Sequence, residues 1–96
     1  MPVGVVQIEI VLPEAHSLKD RRQLVRGLKD KLRHNFNVSV AELDPRRDLW
    51  QRATIGIAAI GADEGYILGQ LQQASAATES FLAGQDVVCG TAEIIA

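Results

Sequence analysis

Along the first dozen residues the apolar side chains fall on every second position. Val6, Ile8, Ile10 and Leu12 alternate with Val5, Gln7, Glu9 and Val11, the period of a strand that buries one face. Pro13 ends it. From Ser17 the period lengthens, and Leu18, Leu24, Val25, Leu28 and Leu32 fall along one side of a helix. Ser17 offers an oxygen to cap that helix, with Asp20 at the third position beyond it, as in a capping box. Asn35 is placed to close it in the left-handed conformation. Phe36, Val38 and Val40 begin a second strand, and Asp44-Pro45 with Arg46, Arg47 and Asp48 supplies a turn. A third strand is expected from about Trp50 to Ile60, with Ile55, Ile57 and Ala59 on one face, broken by Gly61. Asp63 caps a second helix with Ile67, Leu71, Ala74, Thr78 and Phe81 on its apolar face, and Gly84 stops it. Val87 to Ile95 form the last strand.

The order β-α-β-β-α-β is that of the split βαβ, or ferredoxin-like, arrangement. It predicts an α+β domain: one four-stranded antiparallel sheet with both helices on one face. The other face has no helix to cover it. Val5, Gln7, Val11, Trp50, Arg52, Thr54, Gly56 and Ala58 are placed there, and several are apolar or small. A homo-oligomer formed through this open sheet face is therefore expected.

A chain of 96 residues holds one core and one domain. Aromatic residues are scarce, so Val, Ile, Leu and Ala must fill that core. No apolar run reaches the length of a membrane span, and the first residues lead into a strand rather than a signal peptide. Cys89 is the single cysteine, so neither an intrachain disulfide nor a cysteine zinc cluster can form. A cytoplasmic protein with no membrane association, metal or cofactor is the expectation.

Charge changes the picture. All ten Lys and Arg residues lie between Lys19 and Arg52. Residues 16–34 hold seven basic and two acidic groups, a balance of +5, whereas residues 53–96 hold five acidic groups and no Lys or Arg. Lys19, Arg22, Arg26, Lys29 and Arg33 recur at steps of three and four, which stacks them in one stripe along the first helix. Such a stripe can track phosphates, or it can be a solvated face whose long side chains shield the apolar seam. The net charge of −2 argues for the second reading, and the segregation of charge argues for the first.

Arg21 stands apart, because helical geometry turns it toward the apolar face. An inward Arg needs a partner. An ion pair with Glu9, Glu42 or Asp48 is one solution and a bound anion is the other. Trp50 and Arg52 share a strand face, where a base could stack while Arg52 held its phosphate. The reading of Trp50 as a packing or dimer-contact residue is the favoured one, since the first strand offers no second aromatic. His16 and His34 flank the helix without the spacing of a metal site. Ser17 beside His16 reads as a cap rather than a nucleophile. Neither glycine-rich phosphate-loop motif occurs, and no catalytic residue is assigned.

Three stretches carry a family resemblance. Ser17-Leu18-Lys19-Asp20-Arg21-Arg22, Phe36-Asn37-Val38-Ser39-Val40-Ala41-Glu42 and Asp48-Leu49-Trp50-Gln51-Arg52-Ala53 resemble, in order and with similar spacing, segments of the bacterial YlxP-like family. The resemblance covers roughly residues 3–60. It implies a ferredoxin-like domain of unknown function. Family members' genes often lie among translation and ribosome-maturation genes, which implies an RNA- or ribosome-related role by association. The expectation is thus a non-enzymatic accessory factor that binds RNA or a ribosomal particle. Its candidate contacts are Lys19, Arg21, Arg22, Arg26, Lys29, Arg33, Arg46, Arg47 and Arg52. A homodimeric scaffold or a small-anion-binding domain is the alternative.

Overall fold

The computed structural model describes residues 1–13, 15–43 and 51–96. Arg46, Arg47 and Trp50, named above as candidates, lie outside them. The elements are β1 (Val3–Val11), α1 (Leu18–Asn35), β2 (Ser39–Glu42), β3 (Arg52–Ile60), α2 (Glu64–Phe81), β4 (Asp86–Cys89) and β5 (Glu93–Ile94). The strands lie in the order β2-β3-β1-β4, and β5 also pairs with β1 beyond β4. All pairings are antiparallel. Both helices pack on one face, as the α+β ferredoxin-like reading requires.

The period-two pattern of β1 sets the layers. Val6, Ile8 and Ile10 point to the helices and are buried, and their partners Ile57, Ile55 and Ala53 on β3 point the same way. Leu28 and Leu32 of α1 and Ile67, Leu71 and Ala74 of α2 close the core from above. Thr78 is the one polar member of the buried α2 stripe, and its hydroxyl donates to the Ala74 carbonyl at 2.8 Å. That bond removes the cost of an unsatisfied buried oxygen.

Both helix starts are capped as expected. Ser17 Oγ accepts from the Asp20 N–H at 3.1 Å, and Asp63 Oδ2 accepts from the Tyr66 N–H at 2.8 Å. The Asp20 carboxylate returns a bond, but to the His16 N–H rather than to that of Ser17.

Several expectations need correction. Leu18 is exposed, because the first residue of α1 lies beyond the reach of the core. Asn35 is not left-handed, as no residue other than glycine has positive φ among those described. The chain instead turns through an extended Phe36, whose N–H donates to Leu32, while the Asn35 side chain donates to the Lys31 carbonyl. β2 begins at Ser39, later than Phe36. Phe81 is exposed rather than buried; it rests beside Gly27 of α1, under the Lys31 ammonium. α2 ends at Phe81, and Gly84, at φ 96°, makes the turn that follows.

The last strand is two strands. β4 pairs Val88 with Glu9, whereas β5 pairs Glu93 with Val5, so the register to β1 shifts by one residue between them. Gly90 sits at the shift. Its N–H donates to the Gln7 carbonyl at 2.8 Å, and an added Cβ would lie 2.9 Å from that oxygen.

Candidate anion-binding face

Helix α1 lies beside β2, the outer strand of the sheet. One side of α1 seals the core with Val25, Leu28 and Leu32. The turn geometry then sends Arg22, Arg26, Lys29 and Arg33 along the flank that overhangs β2. These four, with Val25, Asp30 and Glu42, border an open groove of about 320 Å³. Lys19 is exposed at the N-terminal end of the same stripe. Among the described residues no carboxylate forms an ion pair with any of the five.

Arg33 is held in place. Its Nη2 donates to the Val40 carbonyl at 2.9 Å. In the β2–β3 ladder the N–H of Leu43 bonds to Thr54, so the odd residues of β2 face β3 and the backbone groups of Val40 face outward. Arg33 therefore satisfies an edge carbonyl and leaves the rest of its guanidinium on the groove.

Arg21 takes the internal solution. It is 3% exposed. Its Nε donates to the Arg52 carbonyl at 2.9 Å and its Nη1 to Glu42 Oε1 at 2.6 Å. A buried guanidinium bound to both groups cannot meet an outside anion, so Arg21 leaves the candidate set. By neutralising Glu42 it also removes one of the two negative charges bordering the groove. Arg52 does not join the ridge either. It is paired with Val11 in register and exposed on the sheet face away from the helices.

That open face carries a second depression, of about 390 Å³ and largely apolar, between β1, β3 and β2. Gly56 forms its floor, and the exposed Leu43 side chain folds over that glycine. Cys89 is half-buried under α2. Its thiol donates to Glu79 Oε1 at 3.3 Å. Burial first, then the Glu79 hydrogen bond and charge, push the thiol from its ordinary 9.0 up to about 11. Among the described residues no three His, Cys, Asp or Glu side chains gather as a metal site, and no helix is long and apolar enough to cross a membrane.

The sequence pattern located the ridge but not its setting. Val25, Asp30 and Glu42 as groove neighbours, and the Val40 carbonyl as the anchor of Arg33, depend on α1 lying over β2. No spacing within α1 signals that.

Comparison with known proteins places the chain among uncharacterised relatives. The family model described as "Protein of unknown function (DUF503)" matches residues 3–88. The uncharacterized protein YlxP of Bacillus subtilis is 32% identical over 79 residues, covering 82% of this chain and 85% of that protein. Among solved structures, a C-terminal segment of the alpha subunit of aIF2 from Pyrococcus abyssi superposes with a TM-score of 0.58 over 91% of this chain. At 16% identity that likeness shows the fold alone, and the chain spans about half, 48%, of that structure.

Proposed function

Because the chain belongs to the DUF503 family of proteins of unknown function, its role must be read from its surface chemistry, and we propose that it is an RNA- or ribosome-associated accessory factor that grips phosphates with helix α1. One observation carries this reading: Arg22, Arg26, Lys29 and Arg33 gather on one groove, with no carboxylate paired to them among the described residues. A ridge that only kept the protein soluble gains from interspersed charges of both signs. This one sets four cations against one remaining carboxylate, Asp30, and its last member is braced by the backbone. Fixed cations lose less side-chain entropy on meeting a phosphate than free ones do. Their rise along the helix, about 1.5 Å per residue, spreads the four over three turns. That length suits a polyanion better than a single small anion.

Co-sedimentation with ribosomal particles tests the proposal. The wild-type chain is expected in the particle fraction at low salt and is released as salt rises. The triple variant Arg22→Glu, Arg26→Glu, Lys29→Glu is expected to stay in the supernatant. All three side chains lie on the outer flank of α1, so the variant should keep the fold. A wild-type chain that stays in the supernatant at low salt would overturn the reading.

A further inference from the structure

The two outer edges of the sheet are treated differently. At β2 the outward Val40 carbonyl is covered by Arg33. At β4 the register to β1 pairs Asp86 with Val11 and Val88 with Glu9, and the Gly90 N–H bonds to Gln7. The even residues therefore face β1, and the backbone N–H and C=O of Val87 and Cys89 face outward. Among the described residues nothing bonds to them. The strand Asp86-Val87-Val88-Cys89 has no Lys or Pro to guard it, although such residues are the usual protection of an exposed edge. Val88, between the two outward residues, is 66% exposed.

From this edge we infer that a second copy of the chain docks antiparallel on β4, with Val88 at the twofold axis. The register is self-complementary. Centring the pair on Val88 sets Val87 opposite Cys89 of the other copy and, by symmetry, Cys89 opposite Val87. Both pairs are then of the hydrogen-bonded kind, and all four outward groups of each strand are satisfied. A centre on Val87 would need Gln85 as the partner of Cys89, but the Gln85 N–H already donates to Leu82. A centre on Cys89 would need Thr91, which lies in the register shift after β4.

The side chains agree with the Val88 centre. The two Val88 residues meet as a non-hydrogen-bonded pair, where side chains approach most closely. Asp86 falls opposite Gly90, so no like charges oppose each other in the strand. The sheets of the two copies become continuous, and the two cationic ridges, beside β2, stand at the far ends. This inference does not depend on RNA binding. With a short interface the association is weak, and it is measured by analytical ultracentrifugation from low micromolar to millimolar protein.

The wild-type chain is expected to dimerise across that range, with exchange of the Val87 and Cys89 amides slowing as concentration rises. Val87→Pro removes an outward donor that no monomer bond uses, and edge strands accept proline. It should weaken association at least about tenfold. Val88→Glu, which opposes like charges at the axis, should do the same. Mixing Val88→Glu with Val88→Lys should restore pairing, because only a twofold through residue 88 sets Glu against Lys. A wild-type chain that stays monomeric overturns the inference. So does a dimer indifferent to Val87→Pro and Val88→Glu, which would place the contact elsewhere, the open sheet face included.

Discussion

Arg21 is sealed at its guanidinium, whereas the Glu42 side chain retains 13% of its exposure. Losing the carboxylate takes one bond from Arg21; losing the cation takes the bond to Glu42 and the bond to the Arg52 carbonyl together. Arg21→Met should therefore destabilise the fold by about 3 kcal/mol and Glu42→Ala by less, although the pair is formally one interaction. Urea unfolding of both variants measures the order, and the reverse order would contradict the geometry.

Cys89 makes a second residue-scale prediction. Its thiol titrates higher in the folded chain than in the unfolded one, so the folded state holds the extra proton between about pH 9 and 11. The stability linked to Cys89 is complete below pH 9 and is lost as pH climbs through about 11. Cys89→Ala should flatten that decline. Near pH 8 the thiol should be alkylated more slowly than a free cysteine by up to roughly a hundredfold, since only the thiolate reacts. Glu79→Gln should narrow the gap.

Among the elements, β1, α1, β3 and α2 were legible because each carries one period over many residues. Val6, Ile8, Ile10 and Leu12 leave no doubt about the core face, and Ser17 and Asp63 mark their helix starts by side-chain chemistry that acts within a single turn. Boundaries and exceptions depended on contacts distant in sequence. Phe81 has the helical spacing of a core residue, yet α1 passes close enough to hold it outside the core, against Gly27. The break between β4 and β5 was not legible, because Val87, Val88, Ile94 and Ile95 look like one apolar run until β1 imposes two registers on it. Gly90 reveals the break physically. Gly90→Ala should cost about 1–3 kcal/mol, since the new methyl meets the Gln7 backbone oxygen rather than a yielding side chain. Faster exchange of the Val88 amide, which faces β1, would accompany it. A neutral Gly90→Ala would contradict the tight register.

Over the whole molecule the charges are divided between structure and surface. The sequence showed a cluster of cations between Lys19 and Arg52 and turned Arg21 inward, but it left open whether Arg21 met a carboxylate or an outside anion. Arg21 lies inside the same helix turn as Arg22, yet one is buried and the other exposed. That difference comes from rotation about the helix axis and from the presence of Glu42 across the gap. Arg52, close to Arg21 through its backbone, sends its side chain to the opposite side of the sheet. The ridge that remains is Arg22, Arg26, Lys29 and Arg33, with Lys19 at one end. Its groove faces away from β4, so occupation of the ridge and pairing of the β4 edges do not compete.

The most direct test of the ridge is the salt dependence of binding to ribosomal RNA. If four cations each displace a counterion, the logarithm of the association constant should fall with the logarithm of salt at a slope of about −3 to −4. Each single replacement of Arg22, Arg26 or Lys29 by Ala should reduce the steepness by about one. Affinity that is absent, or a slope that is flat or indifferent to those replacements, would contradict it.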